Sequence, residues 1–236
     1  MRALAITPPA SVAPKLSAEL VDAWLRGGAA ELGLAVLLRE PGAGIEATLA
    51  APRLAELRAA LAERGIPTLL SVDHDAIDQA GLVLAARPAL AGVQLRGDPS
   101  VAVIERWRER LGALVIGRSC HGHEPDAAEH AVDYTCVAPV FAPHTEQPGV
   151  ETQAIGLAAL ARWAATVPRV FALGGVDLDT AQACLAAGAV GIAGISLFFG
   201  QNAAAQQNVA ALRQIFELLE AGARTPDHAP QPRQRR

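Results

Sequence analysis

The chain is almost without lysine. Nineteen of its twenty basic residues are arginine and the exception is Lys15, so a lysine-dependent chemistry is expected to have no lysine near its site. Aromatic residues are only 4% of the 236, which leaves Ala, Leu, Val and Ile to build a core. Cys120, Cys136 and Cys184 are odd in number and widely spaced, without a CxxC pair. That excludes a disulfide framework and the usual zinc spacings, and fits reduced thiols of a cytoplasmic protein. No run reaches the roughly 18 uninterrupted apolar residues of a membrane span, and MRALAITPP lacks a signal peptide's apolar stretch. Positive charge is scarce as well. The net charge is −4, and the last thirteen residues hold four Arg against one Asp, so the other 223 carry −7. Neither nucleic acid nor an anionic membrane is a good electrostatic match for that body.

What is present is apolar and alternating. Residues of the AVILMFWYC set make up 51% of the chain and charged ones 19%, enough for a large buried core. Short apolar runs predict eight strands, at Ala3–Thr7, Leu32–Arg39, Pro67–Asp73, Gly92–Arg96, Leu114–Ser119, Tyr134–Val140, Arg169–Gly174 and Val190–Ser196. Several are continuously apolar, as expected of strands buried on both faces. Between them run Ala-, Leu-, Glu- and Arg-rich stretches. In Pro52–Arg64, Leu54, Leu57 and Leu61 keep helical spacing, and Gly65-Ile66-Pro67 supplies the stop. Eight strands with eight helical segments predict a single (β/α)8 TIM barrel, which typically takes ~250 residues. A doubly wound open sheet is the alternative, but its early GxGxxG is missing. The barrel is expected over residues 1–222. The Pro-, Arg- and Gln-rich residues 223–236 are expected to form a disordered C-terminal tail, whose arginines lack the aromatic neighbours of a nucleic-acid contact.

In a barrel the site lies at the C-terminal strand ends. Those ends carry Thr7, Arg39-Glu40, Asp73-His74-Asp75, Gln94 with Arg96 and Asp98, Ser119-Cys120-His121, Pro139 to Thr145, Gly174-Gly175 and Ile195-Ser196. The glycine-bearing ends of strands seven and eight stand out. Backbone there can approach an oxyanion, and a following helix N-terminus offers N–H groups, so phosphate is the expected ligand. Taken singly, each could be no more than a tight βα turn. His121-Gly122-His123 fixes no third ligand by spacing and makes a poor metal site. Asp73 and Asp98 could share Mg²⁺, although Asp98 before Pro99 also reads as a helix N-cap. His144 and Thr145 fall in a long segment, Ala142 to Ala154, whose length suits a binding loop.

With these ends laid out, the sequence resembles the thiamin phosphate synthase and TenI superfamily from Leu4 to about Leu219. The resemblance is carried by LAIT, LLRE, GVQLRGD, IGRSCH, APVFAPHT, ALGGV and GIAGIS, in that order. It implies the same barrel, and one of two reactions. Synthases of the superfamily join a pyrimidine methyl pyrophosphate to a thiazole phosphate with Mg²⁺, releasing pyrophosphate. TenI-type members isomerise a thiazole carboxylate phosphate to its aromatic tautomer without a cofactor. The resemblance puts the thiazole phosphate on Gly175, Ile195 and Ser196, beside the Gly174 of the same turn, with Thr145 at the thiazole side. It matches Arg39 to the arginine at the end of strand two, Ser119 to the strand-five serine, and Asp73 to one magnesium aspartate.

The departures fall on the pyrophosphate half. QLREK reads Leu37-Leu38-Arg39-Glu40-Pro41, the asparagine before the magnesium aspartate is Val72, and a lysine is replaced by Glu146. Asp98 lies one residue out of register with the second magnesium ligand. A leaving pyrophosphate needs cations, and only Arg39, Arg96 and Arg118 remain to supply them. The balance favours a TenI-like tautomerase. There, however, Pro139 stands where a strand-six histidine can act, leaving His121, His144 or Glu40, beside Ser119, as candidates for proton transfer. A divergent synthase and a non-catalytic phosphate-binding barrel are the alternatives. Under all three the partner is a small phosphate ester, and a homodimer is compatible with the fold.

Overall fold

Eight parallel strands, hydrogen-bonded in chain order and closed by β1 on β8, form the centre of the molecule. The structure is a computed structural model that describes residues 1–13, 15–121, 124–125, 128, 131–142 and 153–223. The strands are β1 Ala3–Ile6, β2 Leu34–Leu38, β3 Thr68–Asp73, β4 Gly92–Arg96, β5 Val115–His121, β6 Tyr134–Ala138, β7 Val170–Ala172 and β8 Gly191–Gly194. Each lies within two residues of its predicted run at either end. Leu32 is the clearest difference, because it closes a helical turn that Gly33 ends in a left-handed conformation.

The (β/α)8 barrel expected from the sequence is the observed fold. Around it lie α1 Ala18–Arg26, α2 Ala29–Leu32, α3 Ile45–Ala50, α4 Pro52–Glu63, α5 Ala80–Ala85, α6 Val101–Leu111, α7 Gly156–Thr166, α8 Leu178–Ala186 and α9 Asn202–Ala223. Among the described residues these are nine α-helices where eight segments were expected. The first two crossovers are each divided, by Gly27-Gly28 between α1 and α2, and before α4 by Pro52 at its first helical turn. Leu54, Leu57 and Leu61 form the buried face of α4. The tail from residue 224 lies outside the described residues.

Strand residues alternate between two apolar layers. Leu4, Ile6, Leu37, Leu69, Tyr134, Cys136, Phe171 and Ala193 fill the barrel interior. Val36, Leu38, Leu70, Val93, Leu95, Ile116, Val137 and Ile192 face the helices. With few aromatics available, the interior relies on one pair, Tyr134 and Phe171, whose ring centroids lie 5.4 Å apart at 62°. The Tyr134 ring fits only because residue 117 of the neighbouring strand is glycine; a Cβ there would collide with it. No helix among the described residues is long and apolar enough to cross a membrane.

Candidate active site

Gly174, Gly175, Ile195 and Ser196, predicted to act together, line one cavity of about 480 Å³ at the C-terminal ends of β7 and β8. Pro8, Leu16, Leu20, Val176 and Phe199 supply apolar walls. The glycines have different tasks. Gly174 and Gly175 have φ of +86° and +62°, which few side chains tolerate. A Cβ on Gly174 would lie 2.6 Å from Pro139, and one on Gly175 would strike the backbone of Phe141 and Ala142. They let the β7 turn cross the end of β6. Gly194 is what keeps the cavity open, since a Cβ there meets only Leu197, at 3.9 Å.

The β8 turn is fixed from behind. Trp24 of α1, fully buried, donates its indole N–H to the carbonyl of Phe198 at 2.8 Å and meets the Phe199 ring edge-on at 5.3 Å. Asn208 of α9 donates to the carbonyl of Leu197 at 3.0 Å. The expected helix N-terminus after β7 is less available than the sequence suggested. Asp177 caps α8, accepting the Thr180 N–H at 2.9 Å in a reciprocal capping box. An anion here would rest on the turns more than on that helix end.

Lys15 also lines this cavity. The sequence offered a lone lysine no role, but the segment between β1 and α1 crosses toward β7 and β8, the strands that close on β1. This corrects the expectation that no lysine stands near the site.

On the far side of the mouth, at β2 to β5, the predicted residues separate into four groups, with His121 apart from them. At the end of β2, Arg39 donates its backbone N–H to the Thr7 hydroxyl at 2.7 Å, and that hydroxyl donates back to the Arg39 carbonyl at 2.8 Å. The buried Nε of Arg39 and that of Arg96 have no hydrogen-bond partner among the described residues. Burial, then the nearby charge of Arg96, pushes the Arg39 guanidinium below its usual pKa. Arg96 is the register partner of Asp73 and donates to its carboxylate at 2.9 Å.

Glu40 turns away from the mouth. Arg53 donates to it through both Nε, at 3.1 Å, and Nη2, and also holds the carbonyls of Pro8 at 2.9 Å and Ala13 at 3.2 Å. Arg53 therefore clamps the β1–α1 segment to α4, with the Glu40 carboxylate as its counter-charge.

Asp98 is not a helix cap. Ser100 occupies the N-cap of α6, and Asp98, with φ +52°, lies in the turn before it. Its carboxylate is 3.8 Å from Nη2 of Arg118. Arg118, 1% exposed, shares strand parity with Ile116 and Cys120 of the outer layer. Asp73 and Asp98 each face an arginine, and no group of three His, Cys, Asp or Glu among the described residues could hold a metal ion. A Mg²⁺ ion on these two carboxylates would have to compete with the guanidinium beside each.

Ser119 is buried and accepts the side-chain N–H of Gln94 at 2.6 Å; the Gln94 carbonyl accepts the Tyr134 hydroxyl at 2.7 Å. The Cys136 thiol also reaches Gln94, at 3.8 Å, and burial pushes its pKa up to about 12. His121, the last residue of β5, is exposed at the mouth. The segment after β6 leaves and returns at one place: Ile155 donates to the Pro139 carbonyl at 2.9 Å and Gly156 to that of Val140 at 3.0 Å. His144, Thr145, Glu146 and His123 lie outside the described residues.

Residues 3–198 match the family model described as thiamine monophosphate synthase, TMP-TENI. Thiamine-phosphate synthases of Bacillus cereus (strain ATCC 10987 / NRS 248) and Bacillus mycoides (strain KBAB4) are each 31% identical over 147 residues, 60% of this chain. The matches cover 59% and 61% of those proteins, so the chain spans about three fifths of the length of the curated relatives it matches. Among solved structures, a thiamine phosphate pyrophosphorylase from Pyrococcus furiosus has a TM-score of 0.66 at 26% identity, covering 92% of this chain and 96% of that one. A 3-hexulose-6-phosphate synthase, at 20% identity and TM-score 0.59 over 91% of this chain and 99% of its own, shares the fold.

Proposed function

Because the chain belongs to the thiamine monophosphate synthase family, we propose that it binds a thiazole phosphate in the cavity between β7 and β8 and moves a proton on that ring, as a TenI-type tautomerase does. One observation carries the choice within the family. The phosphate cavity has its glycines and Ser196 in place, whereas both carboxylates expected to hold Mg²⁺ face arginines instead. A tautomerisation needs the phosphate anchor and a proton carrier but no metal. Among the described candidates His121 suits that task best. Glu40 is held by Arg53 and Ser119 by Gln94, while His121 stands exposed at the mouth, and histidine is the side chain whose ordinary pKa lies nearest neutrality. The reaction removes a proton from one ring position and delivers one to another, with no net change in composition.

A second reading, a divergent synthase, is favoured by the names of the curated relatives. Two measurements separate the readings. Thiazole carboxylate phosphate in D₂O, followed by NMR, should exchange its ring proton in the presence of the protein, and His121→Gln should slow that exchange at least about a hundredfold. Thiamin phosphate formed from both synthase substrates with Mg²⁺ at roughly 1 s⁻¹ or faster would instead establish the synthase reading.

A further inference from the structure

A phosphate ester brings a charge of about −1.5 to −2 at neutral pH, and the turns of the cavity between β7 and β8 carry no formal charge to offset it. The helix beyond β7 gives little help. Asp177 already takes the Thr180 N–H there, and it lines the adjoining hollow with Ser196, which adds a carboxylate close by. Among the described residues lining the cavity, Lys15 is the one charged side chain. It pairs with no carboxylate among the described residues. The backbone on both sides of it is anchored. Arg53 holds the Ala13 carbonyl, Val12 and Ala13 both donate to the Pro9 carbonyl at 3.0 Å, and Leu16 is buried in the outer core. Between these anchors Lys15 itself is exposed. Because β1 pairs with β8 in the closed barrel, the segment leaving β1 runs beside the β8 turn.

We infer that Lys15 is the cation that neutralises the ligand's phosphate in this cavity, supplied from the β1–α1 segment to oxygens seated on the β7 and β8 turns. A lysine suits the task because its ammonium is a compact point charge with three donors on a flexible four-carbon stem. It can close on a tetrahedral oxyanion from the side that the turns leave open. In that place Lys15 is a specificity determinant. The ligand must be anionic at this end, and an alcohol lacking the phosphate forfeits the contact. The inference rests on the proposed function for the phosphate in this cavity, and not for the proton transfer.

Thiazole phosphate and the corresponding thiazole alcohol, titrated by calorimetry, test it. Lys15→Met keeps the stem without the charge, and at an exposed position it should melt within about 2 °C of wild type. It should weaken thiazole phosphate at least about tenfold, as expected for a lost charge-assisted contact. The alcohol should bind both proteins alike, and Lys15→Arg should recover phosphate affinity to within about threefold of wild type. The chain's single lysine allows a direct second reading. Acetylation of Lys15, followed by mass spectrometry of its peptide, should slow about tenfold at a thiazole phosphate concentration ten times Kd, where about nine tenths of the protein is occupied. Equal phosphate affinity in Lys15→Met and wild type would overturn the inference, as would an equal loss for phosphate and alcohol, or acetylation indifferent to the ligand. If Gly194→Val abolishes binding and Lys15→Met does not, the inference fails while the proposed phosphate cavity survives. If binding depends on Lys15 but no ring proton exchanges, the tautomerase reading fails and the assignment of Lys15 stands.

Discussion

The side chain of Gln94 on β4 donates to the hydroxyl of Ser119 on β5 across 2.6 Å of barrel interior. Gln94 is 2% exposed and its carbonyl is taken by Tyr134, so one amide ties a residue at the mouth to one deep in the barrel. Gln94→Leu keeps similar volume but leaves the Ser119 and Tyr134 hydroxyls buried without this partner. At roughly 1–3 kcal/mol for each such orphaned group, the variant should lose about 3 kcal/mol, which for this size lowers the melting temperature by roughly 6–12 °C. Tyr134→Phe, which removes one bond and leaves the Gln94 carbonyl to the Cys136 thiol, should cost about 1 kcal/mol. Equal melting temperatures for Gln94→Leu and wild type would show the chain contributes nothing to stability.

The cavity between β7 and β8 makes a prediction about which glycine matters to a ligand. Gly194→Val places its side chain in open space within the lining. It should leave the melting temperature within a few degrees of wild type while reducing phosphate-ester affinity at least about tenfold, because the methyls occupy the ligand's room. Gly175→Val should act differently. Its Cβ strikes the backbone of the β6–α7 segment and its φ is +62°, so destabilisation should dominate. Calorimetry paired with thermal melts distinguishes the two, and unchanged affinity in a folded Gly194→Val would move the phosphate elsewhere.

The strands were legible in the sequence because a parallel sheet covered on both faces needs unbroken apolar runs, and those runs are what the chain displays between its helices. The β7 and β8 glycines were legible for a related reason, as they follow directly on such runs. What could not be read was which way side chains commit once folded. Glu40 sits beside Arg39 in sequence, but adjacent strand residues point to opposite faces, and Arg53, thirteen positions on, claims it. Arg118 has the parity of the outer layer for the same reason, a signal that alternation with Ile116 and Cys120 could have given. Lys15 had no such signal: nothing local tells that a loop after β1 will cross to β7 and β8. The Asp98-Pro99 pattern misled because Ser100, two residues on, is an equally good cap and lies next to the helix start.

The thiols give a pH dependence with a definite sign. Burial pushes Cys136 up to about 12 and Cys184 up to about 11, from an ordinary value of 9.0. Burial also pushes Tyr134 well above its usual 10.0. As pH rises past 9 the unfolded chain gives up these protons first, so it binds fewer than the native state and stability falls with pH. The stabilisation is complete below pH 9 and is lost through the window from about 9 to about 12. Urea unfolding midpoints at pH 8, 9 and 10 should decrease in that order, and Cys136→Ala should flatten the trend. In the native protein at pH 8 none of the three buried cysteines should react with a thiol reagent within minutes. All three should react in denaturant.

The pairing of Glu40 with Arg53 separates a structural role from a catalytic one at a position the sequence made a candidate base. Arg53 is 9% exposed and holds, besides Glu40, two carbonyls of the segment that lines the cavity between β7 and β8. Arg53→Met should therefore strand a half-buried carboxylate and two acceptors, costing about 3 kcal/mol, and should weaken phosphate-ester binding by loosening the cavity wall. Glu40→Gln keeps an acceptor for the guanidinium while removing the charge, so the loss should be smaller, about 1–2 kcal/mol. Proton exchange on a thiazole phosphate at saturating ligand should then persist within about threefold in Glu40→Gln, far short of the hundredfold or more that general-base catalysis contributes. A Glu40→Gln protein that melts with wild type yet has lost exchange a hundredfold would make Glu40 the proton carrier, and would require the Arg53 pair to open during turnover.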